Sequence, residues 1–206
     1  MNTSDIQPYI EHAGIAVGAT SGVLAAKGKR IDLFGVLVLA LAAAFGGGTT
    51  RDVLVGSTPV AWMRHPEQMI TALVAALITF FGARWLRMPH RLLHLADAVS
   101  LAFFVMLGTG KGLALEFAAP VAVLLGVVTG VAGGIVRDVL LGEVPAVFRR
   151  EIHLYATAAG AGAVIYVMLY SVNSLAAATA GFLTVLTLRL AAVRWKLSLP
   201  VFEMKE

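Results

Sequence analysis

The chain has 206 residues, 59% of them hydrophobic and 14% charged, with a formal charge of +4 and no cysteine; its mean hydropathy is +0.85. A soluble domain carries about 25% charged residues, so this composition excludes an ordinary globular surface and points to an integral membrane protein, while the lack of cysteine excludes disulfide and thiol chemistry. The positive charge would suit nucleic acid, but its placement along the chain reads as a membrane-orientation signal, and no nucleic acid partner is expected.

Residues 1–9 are polar and contain no Lys or Arg, so no cleavable signal peptide is expected and the first apolar run reads as a retained helix. Runs of about 20 apolar residues can cross a hydrocarbon layer of about 30 Å. Seven follow in order, at roughly 10–26, 33–55, 67–86, 92–110, 118–141, 152–170 and 174–193. Trp62, Trp85 and Trp195 fall near run ends, where interfacial tryptophans belong. No linker or low-complexity tail separates the runs, so the whole chain, 1–206, reads as one membrane domain.

The second and fifth runs are unusual. Their uninterrupted apolar parts, Leu33–Phe45 and Pro120–Ala132, are 13 residues each, or about 20 Å of helix, too short to span alone. Each then meets glycine, arginine and aspartate: "GGGTTRD" in one and "AGGIVRD" in the other. Glycine weakens a helix interior by about 1 kcal/mol relative to alanine. The expectation is that both helices break there and free backbone groups near the membrane midplane.

These two stretches are copies of one another. Laid 86 residues apart, Gly47, Gly48, Arg51, Asp52, Val53, Leu54, Gly56, Pro59 and Arg64 recur as Gly133, Gly134, Arg137, Asp138, Val139, Leu140, Gly142, Pro145 and Arg150. At the same offset Glu11 falls on Asp97 and Gly22 on Gly108. The repeat unit, about 10–86 and then about 92–170, holds three runs. Three is odd, so the second copy enters the membrane from the opposite side, as in inverted-repeat folds; the run at 174–193 is an addition. The predicted fold is therefore all-α, with seven transmembrane helices in two inverted three-helix repeats plus a seventh helix, helices 2 and 5 broken at their glycine motifs. Charge agrees with alternate crossing. One face collects Lys27, Lys29, Arg30, Arg84, Arg87, Arg91, Arg149, Arg150, Arg189, Arg194, Lys196 and Lys205, the other only Arg64 and Lys111. The positive-inside rule then puts the N-terminus outside and the C-terminus in the cytoplasm.

Arg51 and Arg137 belong to neither face. Arginine facing lipid is costly, so both should point inward, toward a wet passage or a locking partner. Asp52 and Asp138 could attract cations or pair with those arginines, and the sequence leaves both open. Glu11 and Asp97 could form acidic vestibules or simply sit at helix starts. Thr49, Thr50, Ser21 and Thr129 could lend hydroxyl oxygens to an ion. Gly14, Gly18 and Gly22, and again Gly126, Gly130 and Gly134, recur every four residues, a pattern that lets helices approach closely. Lys29, Arg149 and Arg150 could meet anionic lipid headgroups. The "GTGKG" at 108–112 lacks the first glycine and final Ser/Thr of a phosphate loop, with Val105 and Gly112 in their places. His90 and His94 read as interfacial rather than metal-binding. No catalytic triad, carboxylate dyad or metal cluster is evident, so an enzyme is not expected.

The paired glycine–arginine–aspartate motifs within a three-plus-three-plus-one pattern resemble the prokaryotic branch of the trimeric intracellular cation (TRIC) channel family, also known as a glycine-transporter-like membrane family. The resemblance covers nearly the whole chain. It implies a homotrimer in the prokaryotic inner membrane, with one pore per protomer, passing monovalent cations, potassium before sodium. It implies no cofactor beyond the permeant ions and bound lipid. It places Gly46, Gly47, Gly48, Arg51, Asp52, Gly133, Gly134, Arg137 and Asp138 beside the pore. The Lys-Glu-Val element that animal members associate with a phosphoinositide is missing around Ile135–Asp138, so that regulation is not implied. Two arginines in a cation path would raise its barrier, giving low conductance or a gate. The alternative is a secondary transporter of a small zwitterion such as glycine, arginine holding its carboxylate and aspartate its ammonium. A non-conducting membrane scaffold is a third reading.

Overall fold

A computed structural model describes residues 3–85, 89–149, 154–195 and 197. The regular elements among them are helical: α1 (Thr3–Ala25), α2 (Leu33–Leu54), α3 (Ala61–Arg64), α4 (Pro66–Trp85), α5 (His90–Ala114), α6 (Ala119–Leu140), the 3-10 turn η1 (Ala146–Phe148), α7 (Tyr155–Leu169) and α8 (Ser174–Trp195). α3 and η1 are single turns inside loops; the other elements match the seven apolar runs. Helices α2, α4, α5, α6 and α8 are long and apolar enough to cross a membrane. α7 is apolar but has 15 residues, and α1 carries Asp5 and Glu11.

The expected breaks do not occur. α2 is helical without interruption through Gly46–Gly48, and α6 through Gly133–Gly134. The reason is the solvent. A glycine's helix penalty of about 1 kcal/mol is small. Opening the helix in a medium without water would leave backbone groups unsatisfied at several kcal/mol each. At 22 residues each, both helices are about 33 Å long, so neither needs a partner segment to span.

The glycines serve contact instead. α2 and α6 cross where a Cβ added to Gly47 would lie 2.0 Å from the Thr129 carbonyl oxygen, and one added to Gly133 would lie 2.6 Å from the Ala43 carbonyl oxygen. These contacts are each other's counterparts at the 86-residue offset. Gly22 on Ala40 and Gly108 on Gly126 form a second such pair, with built Cβ distances of 2.6 and 2.9 Å to the facing Cα. Small residues replace side-chain interdigitation with direct backbone contact, which is how helices associate where apolar burial from water offers little.

α1 packs on α2 and α4, and α5 packs on α6 and α7, giving two apolar cores. One gathers Ile15, Ala19, Val36, Leu39, Ala72 and Ala76. The other gathers Leu101, Val105, Val131, Tyr155 and Ala159, with Val185 contributed by α8. The α2–α6 and α1–α5 contacts join the halves, and α8 lies against α7 and α5.

The ends of α2 and α6 explain the rest of the motif. Both helices stop before a glycine with φ of +69°, Gly56 and Gly142, a left-handed conformation that glycine adopts without strain. In each case the aspartate then reaches over the turn. Asp52 Oδ2 accepts from the Ala61 amide at 2.9 Å, opening α3; Asp138 Oδ2 accepts from the Ala146 amide at 2.8 Å, opening η1. A carboxylate at a helix start satisfies an otherwise orphaned amide.

Candidate functional site

One cavity is walled by the C-terminal part of α2 and a second by that of α6, toward opposite ends of the bundle; among the described residues none lines both.

The first cavity is small, about 30 Å³, and its wall includes Glu11, Phe45, Gly48, Arg51, Asp52, Trp62 and Gln68. Arg51 points inward, as its cost in lipid requires. Its Nε and Nη2 donate to Asp52 Oδ1 at 2.9 and 2.8 Å. Glu11 accepts from amide groups, Gln7 Nε2 at 3.0 Å and Gln68 Nε2 at 3.1 Å.

The second cavity, about 70 Å³, is walled in part by His94, Asp97, Arg137, Asp138, Glu143, Arg149 and Arg189. Arg137 repeats the Arg51 geometry, with Nε and Nη2 at 2.9 and 2.8 Å from Asp138 Oδ1. Its Nη1 continues to Asp97 Oδ1 at 3.0 Å and Ser21 Oγ at 3.2 Å. Asp97 Oδ1 also accepts from the Tyr155 hydroxyl at 3.4 Å, and Asp97 Oδ2 lies 3.7 Å from Arg189 Nη2. The Arg189 guanidinium sits 4.5 Å above the Tyr155 ring. A carboxylate this buried is sustained by pairing with charged donors.

The predicted residues separate into groups. Gly48, Arg51 and Asp52 line the first cavity, and Arg137 and Asp138 the second, with Ser21 hydrogen-bonded to Arg137 and Gly134 beside Tyr155. Asp52 and Asp138 are the partners of the arginines and the caps of the next helical turns, not free cation attractors. Gly47, Gly133 and Thr129 form the crossing. Thr129 is buried, and its hydroxyl donates to the Leu125 carbonyl at 2.6 Å. Gly46 lies between the crossing, where an added Cβ would sit 3.1 Å from the Gly133 Cα, and an apolar side groove with Leu41, Met69 and Val136, into which Thr49 and Thr50 face. There Thr50 donates to the Gly46 carbonyl at 2.8 Å and Thr49 accepts from Trp62 Nε1 at 3.1 Å. One helix cannot point residues 46, 49 and 50 the same way as 48, 51 and 52, so the six do not share one cavity.

Asp97, expected in an acidic vestibule or at a plain helix start, is the buried shared partner of Arg137 and Arg189; the participant that the sequence hides is Arg189. Arg189 had been counted among the charges of the basic face, yet it is completely buried.

Lys29 and Arg149 meet at the mouth of the second cavity, on one acid. Lys29 Nζ is 2.6 Å from Glu143 Oε1, and Arg149 Nη2 is 2.5 Å from Oε2; Arg149 Nε also donates to the Val144 carbonyl. Arg150 lies outside the described residues. The Lys29 hydrogen bond, then that of Arg149, holds the Glu143 carboxyl below the ordinary glutamate range. A depressed folded-state value means the cluster's stabilisation is full above the unfolded-state value and is lost as pH falls through the folded one. About a third of the Glu143 side chain is exposed, so solvent screening keeps the effect small. The melting temperature of the purified protein in detergent is expected to fall as pH drops below about 4.3, the usual glutamate value. Glu143→Gln should start from a slightly lower melting temperature and remove that part of the acid dependence.

The family model described as "Glycine transporter" matches residues 9–84 and 94–171. The UPF0126 inner membrane protein YadS of Escherichia coli (strain K12) is 43% identical over 202 residues, covering 96% of this chain and 97% of that protein. A UPF0126 membrane protein of Vibrio cholerae is 40% identical, covering 95% and 82%. Among solved structures, a TRIC trimeric intracellular cation channel orthologue from Rhodobacter sphaeroides superposes with a TM-score of 0.85 at 35% identity, covering 93% of this chain and 99% of that one. A structure described as the basis for conductance through TRIC cation channels gives 0.85 at 33%, covering 97% and 98%.

Proposed function

The chain belongs to the membrane-protein family of the glycine-transporter model, which includes the prokaryotic TRIC channels, and from that membership we propose that it is a cation channel of the inner membrane with an ion path through each subunit of a homotrimer. The observation that carries this reading is the pair of cavities at opposite ends of the bundle, each walled by one arginine–aspartate pair of the repeated motif. A passive path needs two vestibules and one narrow place between them. The polar atoms at the narrow place are the carbonyls of Ala43 and Thr129, held against Gly133 and Gly47. In this closed arrangement, opening consists of a small separation of α2 from α6 that lets a partly dehydrated potassium ion borrow those oxygens.

The supporting topology is seven membrane crossings in a single domain, as two inverted repeats and a seventh helix. Matches of one family model to residues 9–84 and 94–171 favour the repeat, as do the equivalent glycine contacts. The first cavity then opens outside, with the N-terminus, and the second into the cytoplasm, beside Lys29 and Arg149, which we assign to anionic headgroups. Both arginines work against cations, so conductance is low and potassium, the more easily dehydrated ion, is preferred over sodium.

Glycine transport is less well supported. An arginine that binds a substrate carboxylate must offer its paired N–H groups, and in the two motif arginines, Arg51 and Arg137, Nε and Nη2 are already occupied by the neighbouring aspartate. Reconstitution of purified protein in planar bilayers decides between the two. The expected result is single-channel current with a bi-ionic reversal potential ranking potassium above sodium. Saturable uptake of labelled glycine into proteoliposomes, with no unitary currents, overturns the channel reading.

A further inference from the structure

The two cavities are alike in construction but not in charge. Among the described residues, the first is lined by one cationic group, Arg51, and two acids, Glu11 and Asp52. The second is lined by three cationic groups, Arg137, Arg149 and Arg189, and three acids, Asp97, Asp138 and Glu143. Subtracting Arg189 would leave two against three, the same single negative excess as in the first cavity. Arg189 comes from α8, which stands outside the 86-residue correspondence. It is completely buried, with Nη2 3.7 Å from Asp97 Oδ2 and its guanidinium over the Tyr155 ring. Burying an arginine in a membrane helix is costly. Anchoring α8 did not require one, since Val185 and Ala177 of the same helix already pack into the core.

We propose that Arg189 is a fixed internal counter-charge, supplied by the added helix, that makes the ion path rectify. Asp97 is the acid equivalent to Glu11. Its Oδ1 is held by Arg137 and its Oδ2 faces Arg189, so it cannot concentrate cations as Glu11 does. Low-dielectric walls focus the field of the charges that line them. Cations therefore gather in the first cavity and not in the second, and current carried from the first cavity to the second exceeds the reverse at equal and opposite voltage. Arg189 acts through Asp97 and the cavity potential and touches no ion: it is a positioning residue.

The inference rests on the channel reading, and one experiment separates their failures. In symmetric potassium chloride, wild-type single channels are expected to give unequal currents at opposite voltages. Arg189→Gln is expected to bring the ratio near unity and raise the smaller current by roughly tenfold, the low end of what focused fields do to local ion concentration; Arg189→Lys, which keeps the charge, retains the wild-type ratio. Arg189→His provides a test inside one folded protein: rectifying near pH 5.5, where the imidazole is charged, and not near pH 8. The wild type at both pH values controls for His94 and Glu143 in the same cavity and for Lys29 at its mouth. A folded Arg189→Gln with the wild-type ratio, or an Arg189→His ratio that changes with pH no more than the wild type's, overturns the inference. A wild type with no cation current overturns the channel reading instead.

Discussion

Gly47→Ala is expected to destabilise the protein by roughly 3 kcal/mol, the upper end of overpacking, while Gly48→Ala, one residue on, is expected to be neutral or stabilising by about 0.5–1 kcal/mol. The two substitutions add the same methyl group to the same helix and raise its intrinsic propensity equally. Only the neighbours differ. The new Cβ at Gly47 would lie 2.0 Å from a backbone oxygen of α6, which belongs to a helix and cannot rotate aside. At Gly48 the nearest atom is the flexible end of Arg51, 3.9 Å away. Gly133→Ala should behave like Gly47→Ala, since it meets the Ala43 carbonyl at 2.6 Å. Thermal loss of monodisperse protein in detergent reads all three. Equal shifts at 47 and 48 would mean that the crossing is not tight, and stabilisation at both would mean that the glycines exist to weaken the helix.

That contrast shows where the sequence was informative. The glycine cluster was visible, and so was its repetition at 86 residues, because both are properties of order along the chain. From them came the helical runs, the equivalence of the two glycine contacts and the inward placement of Arg51 and Arg137. What the glycines do was misread. A helix penalty taken from aqueous measurements was applied where no water compensates an opened helix, and close approach to a second helix leaves no mark in the sequence of either one. The same limit applies to Thr49 and Thr50, adjacent to the motif yet directed into the side groove by 100° of helical rotation per residue. It applies most strongly to Arg189. Near the end of an apolar run, an arginine bound for headgroups and one bound for a buried carboxylate 92 residues earlier, Asp97, look identical. The one available signal was the apolar sequence on both sides of it, "TVLTLRLAAV", which sets it a full turn deeper than Arg194.

Asp97→Asn is expected to destabilise by about 3–5 kcal/mol, the cost of breaking a buried ion pair by removing one partner, whereas Glu11→Gln at the equivalent position should stay within about 1 kcal/mol. Asp97 answers two guanidinium groups, Arg137 at 3.0 Å and Arg189 at 3.7 Å. An asparagine supplies one carbonyl oxygen, turns an amide toward a cation, and removes the negative charge that two buried guanidinium groups share. Glu11 answers the side-chain amides of Gln7 and Gln68, and a glutamine there can still accept from an amide. Combining Asp97→Asn with Arg137→Gln should recover more than about 1 kcal/mol of the summed single losses, the coupling expected of groups in one network. In bilayers the two substitutions act at opposite mouths. Glu11→Gln, nearly silent in stability, removes the acid that has no arginine within ion-pair distance among the described residues, and should reduce cation current entering from its side. Asp97→Asn takes one acid from a cavity whose lining charges balance, and should lower the smaller current further, opposite in direction to Arg189→Gln. If the two substitutions prove equal in stability, the network around Asp97 does not hold the second repeat together. If Glu11→Gln leaves the current unchanged, the first cavity is not the mouth of the path.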